Sequence, residues 1–289
     1  MASPFATLPV TARLSSGLVA SIERDRFSSD GVIVTVGGTP QSHVHVADNE
    51  ELAFEYIRRI GHVIDLAFDA GKPITALHLG AGALTLPRYL ESTRPGSRQQ
   101  VIERDEDLVE LIRAHIPWDS RWSLRLRYGD ARDTLARLPA GLSGSVDLIV
   151  VDIFSGDHTP AHVTTVEFFA TLVPLLSPQG VVVVNVVDGL GQRFAKSQAA
   201  TLDSVFGFVG ITAESGVLRG RRLGNLVYVA TLHDGIPPWW DELLRLGPHP
   251  TSVLTGERLE RFIAGSAPTT DAGAVDSPSV HRFFLSTDS

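Results

Sequence analysis

The sequence predicts an α/β protein. It combines a parallel sheet covered by helices on both faces, a late antiparallel hairpin, and a small antiparallel β unit placed ahead of them. Three observations carry this. From residue 74 onward, strand-like and helix-like stretches alternate five times. The strand-like stretches are rich in Val, Ile and Leu on both faces, which is the pattern of a buried parallel sheet. One of them ends at Leu79 and runs straight into Gly80-Ala-Gly82 and then a helical pattern. Glycines at such a strand–turn–helix join let the backbone pass close to a ligand.

The elements follow in order. Residues 10 to 46 read as β, with strand-like runs at 18–25, 32–36 and 41–46 separated by Ser28-Ser-Asp-Gly31 and Gly37-Gly-Thr-Pro40. His43 and His45 alternate onto one face of the third run, a spacing compatible with a metal pair but without a third ligand nearby. Residues 50–70 repeat Leu52, Tyr56, Ile60, Val63 and Ile64 at helical spacing, with Asp48 or Asn49 as cap and Arg58, Arg59 and His62 on a solvated face. Strands are then expected at 74–79, 99–103, 123–128, 146–151 and 180–186, and helices at 84–92, 105–115, 131–138, 163–176 and 191–207. Ile211–Val217 and Asn225–Thr231 form the hairpin. A helix at 239–246 follows Pro237-Pro238, where Trp239-Trp240 are expected to cover an exposed patch or a dimer contact. A short helix near 255–264 is capped by Thr255, and residues 265–289, rich in Ser, Pro, Thr and Asp, are expected to be loosely ordered. The domains are therefore 1–48, a β unit; 49–247, the α/β domain; and 248–289, a short helix and tail.

Composition narrows the function. With 289 residues and 43% hydrophobic content the chain can bury a full core. It has no cysteine, so disulfides, thiolate metal sites and cysteine nucleophiles are excluded. Its net charge of −8 disfavours a nucleic-acid partner and suits a cationic small molecule. The start has no basic, then apolar, signal-like pattern, and no apolar run approaches the roughly 20 residues that span a bilayer. The expectation is a cytoplasmic protein with no membrane and no metal.

Right-handed crossovers put the C-terminal ends of parallel strands on one edge, where ligands bind. Four acids fall there: Glu103, Asp130, Asp152 and Asp188. Glu103 ends a strand 21 residues after Gly82 (103 − 82), the spacing at which a carboxylate commonly accepts hydrogen bonds from a ribose diol. The four acids are expected to converge on one cavity.

Five α/β units with a terminal hairpin resemble the class I methyltransferase-like (Rossmann-like) fold. The finer resemblance is to the spermidine synthases, the aminopropyltransferases, and within them to actinobacterial spermidine-synthase-like proteins. It rests on Gly80-Ala-Gly82, Val101-Ile-Glu-Arg-Asp105, Tyr128-Gly-Asp-Ala131, Val146-Asp-Leu-Ile-Val-Val-Asp-Ile-Phe-Ser155, Val166-Glu-Phe-Phe169, Leu176-Ser-Pro-Gln-Gly-Val181 and Phe54-Glu-Tyr-Ile-Arg-Arg-Ile-Gly-His62, and covers roughly residues 15 to 232. It implies that Glu103 holds the ribose hydroxyls of a sulfonium nucleoside. Asp130 and the Ala131 backbone would read adenine. Gln41 would match a family glutamine near the nucleoside, and Gly80 and Gly82 would line the turn. Asp152 falls where the family keeps its catalytic aspartate. The implied co-substrate is decarboxylated S-adenosylmethionine, with no tightly bound cofactor. The implied acceptor is a polyamine or other amine, and a homodimer is an assembly the family often forms.

The departures matter as much. Ala83 stands where the family has an aspartate that binds the aminopropyl ammonium, and Ser155 replaces the second Asp of Asp-x-x-Asp-Pro, with Asp157 two residues on. A tyrosine-bearing segment of the late hairpin is absent. In its place are Arg219, Arg221 and Arg222. Losing one charge contact to a desolvated ammonium costs on the order of 2–4 kcal/mol. Two alternatives therefore stay open: an S-adenosylmethionine-dependent methyltransferase of a small molecule, and a catalytically weak nucleoside-binding homologue.

Overall fold

The structure, a computed structural model, describes residues 7–279. Alternating apolar residues close the first segment into an antiparallel sheet of four strands in sequence order: β1 (Val10–Arg13), β2 (Val19–Arg24), β3 (Gly31–Val36) and β4 (Thr39–His45). β1 adds an edge to the three expected strands. It alternates half-buried and exposed, so no apolar run marks it. His43 and His45 are buried, and each meets an aspartate: His43 Nε2 lies 2.9 Å from Asp25 and His45 Nδ1 3.3 Å from Asp30. No metal-binding group of three side chains forms among the described residues.

The main sheet has the order β12-β10-β11-β9-β8-β5-β6-β7. Its parallel part is β5 (Thr75–Leu79), β6 (Arg98–Glu103), β7 (Leu124–Tyr128), β8 (Val146–Val151) and β9 (Leu176–Asp188). The antiparallel part is β10 (Phe208–Glu214), β11 (Gly224–Thr231) and β12 (Thr251–Leu254). Strand order reverses around β5, so its end faces the crevice where open α/β sheets bind ligands. The helices are α1 (Glu55–Ala67), α2 (Thr85–Thr93), α3 (Glu106–His115), α4 (Ala131–Leu135), α5 (Val166–Ala170), α6 (Arg193–Asp203), α7 (Ser215–Leu218), α8 (Leu243–Leu246) and α9 (Glu257–Ile263). One apolar cluster joins the sheet to α1 and α2, and another joins it to α5 and α6. A third joins the N-terminal sheet to α3 and to Ala83. No helix among the described residues is long and apolar enough to cross a membrane.

Several expectations need correction. α1 starts at Glu55 because Asp48 closes a local turn by accepting the Glu50 amide at 2.9 Å instead of capping the helix. Arg59 does not lie on a solvated face. It is 1% exposed and donates to Glu55, to the Pro248 carbonyl and to Thr251, which the returning chain places over it. The helix expected over 163–176 breaks into α5 and two short 3-10 turns. The second contains Pro174, and β9 begins immediately after it. Trp240 is fully buried against Phe208 and over Gly210, where a Cβ would sit 2.3 Å from its ring, so it covers no surface patch. α9 is preceded by Gly256, not capped by Thr255. Residues 265–279 carry no helix or strand yet are not loose. The Val166 amide donates to the Thr269 carbonyl, Thr269 N–H to Thr201 Oγ1, and Ser277 N–H to the Thr159 carbonyl. The rest of the expected tail, 280–289, lies outside the described residues.

Candidate active site

The C-terminal ends of β5, β6 and β8, the turn after β7 and the start of β11 surround a cavity of about 530 Å³, roofed by β4 and the loop after β8. Its floor is the glycine turn. Gly80 takes φ +97°, and a Cβ there would fall 2.2 Å from the Asp152 carbonyl oxygen; Gly82 takes φ +48° with Ser42 Oγ in its Cβ position, 2.3 Å away. Gly80 therefore needs glycine for both conformation and space, while at Gly82 the positive φ favours glycine and a side chain would have to displace Ser42 Oγ.

Glu103 reaches back from the end of β6 under this turn. One oxygen accepts the Ala81 amide at 2.9 Å, the other the Asp105 amide at 2.9 Å. Burial pushes its carboxyl above the usual range, and these amides only partly offset that. Asp130 caps α4, accepting the amides of Arg132 at 2.9 Å and Asp133 at 3.3 Å. Its other oxygen lies 2.7 Å from His162 Nε2. Burial opposes ionisation of Asp130, but His162 and the two amides outweigh it and hold the carboxyl below its ordinary value. Ala131 lines the same end, and Gln41 donates to the Gly156 carbonyl at 3.0 Å on the cavity wall.

Asp152 follows β8 and enters the cavity beside the glycines. Tyr56 Oη donates to one carboxylate oxygen at 3.1 Å and Asn185 Nδ2 to the other at 2.8 Å. Burial pushes the Asp152 carboxyl up, with the Asn185 and Tyr56 donors partly opposing. A carboxylate raised in this way is a stronger base once ionised. Asn185 Oδ1 is buried and has no hydrogen-bond partner among the described residues.

Six of the expected acids and turn residues thus meet in one cavity: Gly80, Gly82, Glu103, Asp130, Ala131 and Asp152, with Gln41 on its wall. Asp188 does not join them. It is 3% exposed and accepts the amides of Gly189 and Ala195, fixing the entry to α6. A strand-end position places an acid on the right edge, but a following helix N-terminus claims this one. Ala83 is also turned away from ligand chemistry. It is fully buried beneath the N-terminal sheet and gives its amide to Ser42 Oγ at 3.0 Å. The cavity lining carries six carboxylates (Glu55, Glu103, Asp105, Asp130, Asp152 and Asp157) against one guanidinium, Arg104. Arg222 from the late hairpin lines an adjoining pocket of about 210 Å³ instead, paired to Glu214 at 2.8 Å. Sequence reasoning missed Tyr56, Asn185 and His162. Of these, only Asn185 left a signal, as the single polar residue inside the run Val181–Val187.

No protein-family model matches the chain. A polyamine aminopropyltransferase of Vibrio vulnificus is 31% identical over 160 residues, which is 55% of this chain and 51% of that protein. The match therefore spans about half the length of that curated relative. A solved structure of a probable spermidine synthase from Corynebacterium glutamicum superposes with a TM-score of 0.82 at 30% identity, over 92% of this chain and 97% of its own. Human methyltransferase-like protein 13 superposes with a TM-score of 0.52 at 20% identity, over 76% of this chain and 96% of its own, a likeness of fold.

Proposed function

We propose that this chain, which belongs to the spermidine synthase family, moves an aminopropyl group from decarboxylated S-adenosylmethionine to an amine of the polyamine class. Glu103 takes the two ribose hydroxyls, Asp130 and the Ala131 backbone take the adenine edge, and Gln41, Gly80 and Gly82 shape the walls around the nucleoside. Asp152 takes the attacking amine.

The observation that carries this reading is the environment of Asp152. A polyamine nitrogen is protonated near neutral pH and has no lone pair until it loses a proton. A buried carboxylate, held at both oxygens by Tyr56 and Asn185, can orient the ammonium and accept that proton. The freed lone pair attacks the carbon next to sulfur, the C–S bond breaks, and the sulfonium leaves as neutral methylthioadenosine. Asn185 Oδ1, buried beside Asp152, is an acceptor for a second N–H of the same amine. The excess of carboxylates supports a donor with a cationic aminopropyl tail even though Ala83 supplies no acid.

Mass spectrometry of a reaction containing decarboxylated S-adenosylmethionine and 1,4-diaminobutane tests the reading. The expected products are methylthioadenosine and the diamine enlarged by one aminopropyl group. Asp152→Asn should slow their formation by at least about 100-fold, the usual reach of general-base catalysis. Unchanged turnover by that variant would remove Asp152 from the chemistry, and a methylated amine from intact S-adenosylmethionine would replace the reaction class.

A further inference from the structure

Residues 265–279 do not line the cavity, but they bond the two elements that carry Asp130 and His162. Their one polar side chain fixed by two separate elements is Asp271. Arg132 Nη1 and Nη2 donate to its two oxygens at 2.7 and 2.6 Å, a forked ion pair. Thr165, the cap of α5, donates to the same carboxylate at 2.7 Å, and the Asp271 amide donates to Glu167 at 3.0 Å. Arg132 in turn donates to the His162 carbonyl at 3.1 Å and gives its amide to Asp130, while the His162 ring bonds the other oxygen of Asp130. These contacts close a ring, Asp130–His162–Arg132, that is tied down from outside by Asp271.

We infer that Asp271 is a positioning residue for nucleoside binding: through Arg132 it fixes His162 and the start of α4, and so the direction in which Asp130 and the Ala131 amide face the purine. The inference rests on the reading of Asp130 and Ala131 as the adenine end. Simple surface pairing is the bland alternative, since an exposed ion pair contributes little. Two features set Asp271 apart from such a pair. Its fork is bidentate, and its partner sits two residues from Asp130 and bonds the backbone of the residue that contacts Asp130. The carboxyl is held at about 2, first by Arg132 and then by Thr165, so it is ionised at any working pH. The far part of the segment bonds elsewhere. Ser277 Oγ accepts the Thr159 amide at 2.8 Å in the loop after β8, and Asp276 accepts the Ala161 amide at 2.8 Å next to His162; neither side chain bonds Arg132.

Calorimetric titration of methylthioadenosine into wild type, Asp271→Asn and Ser277→Ala is the test. Asp271→Asn should weaken binding by about fivefold, the upper reach of a well-formed exposed pair. It should raise KM for the donor, leave kcat at saturating donor within twofold, and be partly rescued in Asp271→Glu. Ser277→Ala should bind as wild type. Equal losses in both variants, or a change in kcat alone, would mean general loosening and overturn the inference. If Asp271→Asn does not fold, wild type alone decides. Linkage is reciprocal, so methylthioadenosine must protect the Val166 and Thr269 amides from hydrogen exchange, while the amine substrate must not. No change in protection would overturn it. Failure of wild type to bind methylthioadenosine would instead bring down the nucleoside reading beneath it.

Discussion

In the half of the cavity proposed for the nucleoside, carboxylates are fixed by main-chain amides, Asp130 by the His162 ring as well. Glu103 takes the amides of Asp105 and Ala81, 2 and 22 residues away, and Asp130 takes amides 2 and 3 residues away. In the half proposed for the transfer step, the carboxylate is fixed by side chains from remote elements, Tyr56 on α1 and Asn185 on β9, 96 and 33 residues from Asp152. The amide contacts come with the strand–turn–helix units themselves, and only the far oxygen of Asp130 depends on a side chain from elsewhere, His162. A site made from side chains exists only after α1 and β9 have docked, and each of its donors can be removed without touching the backbone.

That contrast can be broken from the nucleoside side first. Glu103→Ala should weaken methylthioadenosine binding by about 30-fold, since it removes a charged acceptor from a ribose diol and leaves the Ala81 and Asp105 amides unmatched. Isothermal titration measures this. Unchanged affinity would make Glu103 a structural brace of the glycine turn and nothing more.

The smaller effect belongs to the transfer side. Tyr56→Phe removes one donor to Asp152 and should lower kcat by about tenfold, the worth of one hydrogen bond to a charged group, with nucleoside affinity unchanged. The tyrosine hydroxyl favours the ionised carboxylate, so its loss raises the Asp152 pKa further. The reactive form is the ionised base, and activity falls as pH drops through that pKa. The acidic limb of the kcat profile should therefore move to higher pH. A limb that stays in place, or moves down, would mean that Tyr56 does not tune Asp152.

The same contrast explains what was legible in the sequence. The convergence of Gly80, Gly82 and Glu103 on one cavity was, because its logic is short-range: apolar strand, two glycines, and an acid at the end of the next strand. Asp152 was, because it follows a run of buried β residues onto the ligand edge. Tyr56 was not, because a tyrosine at helical spacing reads as core until α1 is docked against β9, β10 and β11. Asp188 misled for a local reason, since its position matches the other strand-end acids and only the amides of Gly189 and Ala195 divert it. Arg59 misled for a remote one: its burial depends on Pro248 and Thr251, 189 and 192 residues away. The tail was read from composition alone, which reports the absence of helix and strand but not the hydrogen bonds of Thr269, Asp271 and Ser277.

The measurement that bears most directly on the acid-lined cavity is a comparison of donors by calorimetry. Decarboxylated S-adenosylmethionine would bring a cationic tail into a lining of six carboxylates and one guanidinium, whereas the intact compound would add an anion. A like-charge contact of about 1.4 kcal/mol is a factor of 10, so the decarboxylated donor should bind at least about tenfold more tightly, and the gap should shrink as salt is added. Equal or tighter binding of intact S-adenosylmethionine would contradict the account.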